Sequence, residues 1–452
     1  MSLSPVLTSA TTLPAAPSFA ELLRYWLRQG FIGFGGPAGQ IAIMHQELVE
    51  RRRWISEQRF LHALNYCMLL PGPEATQLAT YIGWLLHGVK GGIAAGVLFV
   101  LPSVFILMTL SWIYVAFGQV PAVAGVLYGI KPAVTAIVVH AAWRIGSRAL
   151  RNGVLWALAA AAFVAIFAFR LPFPAIVLGA ALAGLAGGRL APRWFGNGGG
   201  HGGAPVHHYG PALIDDHTPV PAHARFSYGR LLRYLAVGLG LWLTTLLTLA
   251  LLFGWRGDFT QMGWFFTKAA LLTFGGAYAV LPYVYQGAVE HYQWLTAPQM
   301  IDGLALGETT PGPLIMIVAF VGFVGSWGKA LLGPDALAVA GVLGAGVAAF
   351  YTFLPSFLFI LVGGPLVEAT RGDLKFTAPL IAITAAVVGV ILNLALFFAY
   401  HVLWPEGFAG RFEWFSAVLG LAAAVALFRF RMGVIPLIGA CAAVGLLYGL
   451  WG

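Results

Sequence analysis

Four short motifs place glycine and proline inside otherwise apolar runs of this 452-residue chain: Phe34-Gly35-Gly36, Pro71-Gly72-Pro73, Phe274-Gly275-Gly276 and Pro311-Gly312-Pro313. Proline removes an N–H donor and glycine weakens a helix, so each motif should break one. At such a break, free N–H groups and the positive end of a helix dipole face the gap. That makes an anion site without a fixed charge. Nearby Thr76, Gln77, Thr273, Thr309 and Thr310 offer neutral hydrogen bonds suited to an oxyanion. Glu74 follows Pro73 directly and Glu308 lies three residues before Pro311, so either acid could exchange protons. The plainer reading of one break is a kink that permits close packing. Four breaks in two repeated pairs favour a binding site.

Two lysines, Lys131 and Lys268, fall within membrane-like segments. A cation at that depth is costly and should find a partner, and an anionic substrate would serve. The competing reading is snorkelling to the headgroups. His45, His62, His87 and His140 are scattered and read as packed or interfacial. His201, His207, His208, His217 and His223 lack the fixed spacing of a metal site, so no metal and no cofactor is expected. Cys67 and Cys441 both lie in apolar runs and read as core residues. No G-x-x-x-x-G-K-[ST], G-x-S-x-G or H-E-x-x-H motif occurs. ATP-driven transport by this chain and hydrolase chemistry are therefore not expected.

The elements that must position these residues follow from composition. Apolar residues make up 60% of the chain and charged residues only 9%. A soluble globular protein carries about 25% charged residues. The expected class is an all-α polytopic membrane protein. The net charge of +9 comes from cations set between apolar runs rather than on a soluble face, so nucleic acid is not an expected partner. The first 18 residues do not resemble a cleaved signal peptide, so the first membrane helices should direct insertion.

Nine uninterrupted apolar runs lie at about 91–117, 121–143, 153–169, 171–188, 230–254, 336–366, 376–403, 413–428 and 432–451. Each suits a crossing of a ~30 Å hydrocarbon core. The interrupted segments lie at about 19–50, 60–86, 258–289 and 299–326. Between 189 and 229 the chain becomes rich in Gly, His and Pro and reads as a flexible polar linker. The expected organisation is a repeat at 1–188, the linker at 189–229, an extra transmembrane helix at 230–254 and a second repeat at 255–452.

The repeats align at an offset of 240. Between 34–90 and 274–330 there are 13 identities in 57 positions without a gap. Further on, Leu101-Pro102-Ser103 matches Leu354-Pro355-Ser356 at offset 253, so the second half carries a 13-residue insertion. If each interrupted segment enters and leaves on one side, 19 cations fall inside and 4 outside. That distribution satisfies the positive-inside rule. The single extra helix then reverses the second half. The expected architecture is two inverted repeats with re-entrant hairpins, an inner-membrane location, a cytoplasmic N-terminus and an outside C-terminus. Paired broken helices in duplicated halves point to a secondary transporter.

The chain resembles the chromate ion transporter family in its long, two-repeat bacterial form. The resemblance rests on GFGGP at Gly33 to Pro37, PGPEATQLATYIG at Pro71 to Gly83 and HGVKGGIAAGVLFVLPS at His87 to Ser103. In the second half it rests on TFGGAYAVLPYV at Thr273 to Val284 and PGPLIMIVAFVGF at Pro311 to Phe323. It implies export of chromate from the cytoplasm, driven by the membrane potential or proton gradient, and hence chromate resistance. Chromate, protons and the bilayer are the implied partners, with sulfate as a competitor, and a homodimer is compatible. A sulfate or other oxyanion carrier is the nearest alternative. A membrane-embedded enzyme acting on a phospho-lipid is the alternative of another class. The long His-rich linker departs from the family pattern.

Overall fold

The computed structural model describes residues 14–195, 209–216, 218–219, 221–274, 276–369 and 377–451. Ser18 caps α1 (Phe19–Ile32) by accepting the Glu21 N–H at 3.2 Å. The helix stops at Gly33, and Gly35, at φ 88°, turns the chain into α2 (Gly36–His45). A π-helical turn (Gln46–Arg51) leads to α3 (Glu57–Leu69). After Pro71-Gly72-Pro73, α4 runs from Glu74 to Phe117. It is bent where His87 and Gly88 leave helical geometry, Gly88 at φ 63°. α5 (Pro121–Ala149), α6 (Gly153–Phe167), α7 (Phe173–Leu190) and a short α8 (Pro192–Phe195) complete the first half.

After α9 (Tyr228–Phe253) the same order of elements returns. α10 (Asp258–Leu272), α11 (Ala277–Tyr285), a π-helical turn (Gln286–His291) and α12 (Ala297–Thr309) stand where the offset of 240 puts them. Both π-helical turns begin and end exactly 240 residues apart, 46 to 286 and 51 to 291. α13 (Ile317–Gly328) and α14 (Leu337–Ala369) together answer to α4. Where the first half has only the bend at Gly88, the second has a loop between α13 and α14. The 13-residue insertion falls there. α15 (Thr377–Leu403), α16 (Trp414–Phe428) and α17 (Val434–Trp451) follow.

All nine apolar runs expected from sequence are helices. Among the described residues there is no strand, only one isolated bridge between Ile55 and Ile214. Among the described residues, seven helices, α4, α5, α7, α9, α14, α15 and α17, are long and apolar enough to cross a bilayer. The chain is an all-α polytopic membrane protein. Its halves are interleaved: α5 packs against α16 and α17, while α15 packs against α6 and α7. Small residues allow these close approaches, as where Gly129 of α5 meets Gly445 of α17. α9 lies apart from this exchange. Only Leu246 and Leu249 of its residues are buried, and leucines such as Leu239, Leu243 and Leu251 face outward. Trp242 and Thr245 tie it to the second half, Trp242 Nε1–H donating to Thr267 Oγ1 at 2.9 Å and Tyr351 O–H to Thr245 Oγ1 at 2.9 Å.

Within the linker expected to be flexible, residues 209–216 instead lie against the turn between the first π-helical turn and α3. Leu213 N–H donates to Arg53 O at 2.9 Å, and Ser56 N–H donates to Ile214 O at 2.9 Å. Ile214 buries its side chain there, and the Asp216 carboxylate accepts the Ser56 hydroxyl. An apolar anchor and paired backbone groups outweigh the flexibility expected from Gly and Pro content. His201, His207, His208 and His217 lie outside the described residues. His223 is 2.8 Å from Trp84 O through Nε2 and packs beneath the Gly88 bend.

Candidate anion site between the halves

Two loops cross between the halves. Gly72 N–H donates to Thr273 O at 2.8 Å, and Gly312 N–H donates to Gly33 O at 2.9 Å. These are the same contact with the halves exchanged, since 33 + 240 = 273 and 72 + 240 = 312. Each acceptor is the C-terminal cap of a broken helix, α10 or α1, whose last carbonyls lack partners within the helix. Both loop glycines hold positive φ, 122° at Gly72 and 101° at Gly312. A Cβ at Gly72 would collide with Ser356 Oγ, and one at Gly312 with Ser103 Oγ. Those serines are themselves a repeat pair, at offset 253. Ser103 also donates its hydroxyl to Pro311 O. Only glycine suits both the conformation and the space.

Beside one crossing is a cavity. Gly35 and Gly36 at the start of α2, His140 and Arg144 of α5, Glu308 and Thr310 around the end of α12, Tyr278 of α11 and Gly312 line it, among others. The first N–H groups of α2 have no partner within the helix, and its positive end points to this region. A Cβ built on Gly36 meets nothing within 4 Å, so the space beside it is open. Tyr278 donates its hydroxyl to Glu308 Oε1. The Arg144 guanidinium, half-buried, has no carboxylate oxygen within 4.0 Å among the described residues. A helix N-terminus, a guanidinium, a hydroxyl and a protonatable acid therefore converge on one space. That set can hold an oxyanion and pass a proton beside it.

The cavity gathers five residues singled out from sequence: Gly35, Gly36, Glu308, Thr310 and Gly312. Phe34, Pro71, Gly72, Thr273, Pro311 and Pro313 belong to the two breaks and crossings beside it. Thr309 and Thr310 donate their hydroxyls to Leu306 O and Gly307 O, and Thr273 donates to Ala269 O. Gln77 donates to Pro71 O at 2.7 Å, which supports the first crossing, and Thr76 is fully buried one residue before it. Glu74 is the half-buried first residue of α4 and does not line the cavity. Gly276, at φ 96°, opens α11, while Gly275 lies outside the described residues. Lys131 does not line the cavity either; its ammonium is 3.3 Å from Asp302 Oδ1. Lys268 sits 5.7 Å from the centre of the Trp264 ring, half-buried, as a snorkelling lysine would.

Sequence reasoning misses Arg144, because the apolar run ends at Trp143. The helix continues to Ala149. The signal was available: Ile137, Ala141 and Arg144 are spaced four and three apart, one face of a helix, and all three line the cavity. Gln40 was missed as well. It is fully buried, and its Nε2 donates to Gly33 O at 2.9 Å and to Gly312 O at 2.5 Å, bridging the second crossing. A lone amide in the apolar stretch 38–44 was its only sign.

The family model described as chromate transporter matches the chain twice, over residues 20–185 and 260–446. The chain is 30% identical over 442 residues to a chromate transport protein of Cupriavidus metallidurans, covering 97% of this chain and 96% of that one. It is 32% identical over 394 residues to a chromate transport protein of Pseudomonas aeruginosa, covering 85% and 82%. An uncharacterized transporter of Methanocaldococcus jannaschii is 24% identical over 389 residues, 86% of each chain. No solved structure matches the chain.

Proposed function

The chain belongs to the chromate transporter family, and we propose that it carries chromate out of the cytoplasm through the Arg144 cavity. The observation that carries this reading is Arg144 itself. No carboxylate oxygen lies within 4.0 Å of it among the described residues, and it shares the cavity with Glu308 and with the start of α2. A guanidinium so placed is waiting for an anion, and a tetrahedral oxyanion offers it two oxygens at once. Thr310 and the first N–H groups of α2 replace part of the anion's water shell.

The cavity is bounded by the last turns of α5 and the first turn of α17. Arg148, Arg151, Arg429 and Arg431 cluster at those ends, and the positive-inside rule makes that the cytoplasmic face. The exchange of contacts between halves, with one extra helix between them, supports the inverted arrangement. A membrane potential negative inside drives a dianion outward, at roughly 4.6 kcal/mol per 100 mV for two charges. Glu308, hydrogen-bonded to Tyr278 in the same cavity, is placed to couple a proton; Glu74 is the reserve candidate. A lipid-phosphate enzyme is the weaker reading, because the family model and the relatives are named for transport.

Uptake of labelled chromate into everted membrane vesicles tests the proposal. Vesicles bearing the protein should accumulate chromate when a potential, positive inside the vesicle, is imposed. A tenfold excess of sulfate should compete only partly. Equal uptake by vesicles with and without the protein would refute it.

A further inference from the structure

Two of the helices that wall the Arg144 cavity, α5 and α12, carry a second cation and a second carboxylate. Lys131 Nζ of α5 is 3.3 Å from Oδ1 of Asp302 on α12. Tyr114 of α4 donates its hydroxyl to the other oxygen, Oδ2, at 3.0 Å. The carboxylate is shut in, with its side chain 6% exposed, while that of Lys131 is 28% exposed. Lys131 precedes Ile137, the first α5 residue of the cavity, by six positions; Asp302 precedes Gly307, the first on α12, by five. At 1.5 Å per residue these are about 9 and 7.5 Å, so the pair sits one step from the cavity along both helices. On α5 that step leads away from the arginine-rich end.

A carboxylate and a tetrahedral oxyanion are recognised by the same donors. We propose that Lys131 and Tyr114 form a second oxyanion station on the exit side of the cavity, filled in this conformation by the chain's own Asp302. The inference rests on the Arg144 cavity being a chromate site. As the anion leaves Arg144 it displaces the Asp302 carboxylate from the lysine. One negative group stays on Lys131 throughout, and the displaced Asp302, the more deeply buried partner, leaves as the neutral acid, so no buried charge is left unpaired. The other buried pair behaves differently. Arg59 Nη1 is 2.9 Å from Glu368 Oε2, with side chains 5% and 2% exposed, on α3 and α14, which contribute nothing to the cavity. It is sealed from both partners' sides and reads as a structural link.

Equilibrium dialysis of the purified full chain against labelled chromate, with chromate bound per chain as the readout, tests the station. The wild type should bind one chromate per chain, at Arg144. Asp302→Asn, which empties the station of negative charge, should bind two, and adding Lys131→Gln should return the number to one. Lys131→Gln alone should still bind one while exporting at least tenfold more slowly. Asp302→Asn binding only one, or Lys131→Gln exporting at the wild-type rate, would overturn the station and leave the cavity standing. A wild type that binds none would overturn the cavity reading, and the station with it. Should Asp302→Asn fail to accumulate in membranes, Tyr114→Phe removes a single donor. It should slow export several-fold with one chromate still bound, and wild-type export by that variant would count against the station.

Discussion

Gly312 donates its backbone N–H to the carbonyl of Gly33 at 2.9 Å, joining a Pro-Gly-Pro loop of the second half to a broken helix of the first. Gly72 and Thr273 make the same bond with the halves exchanged, at 2.8 Å. The two bonds consume the N–H groups that a free break would have offered to an anion. They fix the frame instead, and the proposed anion site falls to the start of α2 and to Arg144.

Alanine at either loop glycine should weaken this frame. Gly72→Ala and Gly312→Ala force a side chain into positive φ, worth about 1–3 kcal/mol from the backbone alone, and into collision with a serine. Gly276→Ala incurs only the backbone cost, because a Cβ there meets nothing within 4 Å. Thermal unfolding in detergent should therefore rank the three, with Gly276→Ala nearest the wild type. A lower melting temperature for Gly276→Ala than for Gly312→Ala would contradict the crossing.

Gly36→Leu separates space from stability. Its side chain would project into open cavity, so the variant should accumulate normally apart from the strain at φ 67°. Chromate uptake should fall to background, because the leucine fills the volume beside Arg144 that the anion needs. Retained uptake at normal protein levels would place the anion elsewhere.

Much of this architecture is legible in the amino-acid sequence. The nine apolar runs became helices because a long apolar segment has few alternatives in a bilayer, where every backbone polar group must be paired within the protein. The breaks at Gly35-Gly36 and at the Pro-Gly-Pro loops were legible because glycine and proline act on the backbone locally. Arg144 was not, because a run-based reading ends a helix at its first charge, while the helix itself needs only backbone hydrogen bonds and continues to Ala149. Nor was the pairing of Lys131 with Asp302. Those residues are 171 positions apart, and nothing local links them. The seating of residues 209–216 was equally hidden, since it rests on backbone pairing and on burial of Ala212 and Ile214 against residues more than 150 positions away.

Proton coupling should follow the acid in the cavity. Glu308→Gln keeps the size and the hydrogen bond to Tyr278 but cannot titrate. In everted vesicles it should retain chromate uptake driven by potential and lose the part driven by a pH gradient. Glu74→Gln, outside the cavity lining, should change that part less. If Glu74→Gln alone abolishes the pH-driven component, the coupling role passes to Glu74.

In the proposed mechanism Arg144 holds the transported oxyanion in the cavity between the halves. Labelled chromate bound at equilibrium to purified wild type, Arg144→Lys and Arg144→Gln tests it most directly, with folding checked by monodisperse elution. Arg144→Lys keeps the charge without the planar fork and should weaken binding several-fold. Arg144→Gln should weaken it at least tenfold, a difference of about 1.4 kcal/mol or more. Chromate binding by folded Arg144→Gln at the wild-type affinity would place the anion away from Arg144.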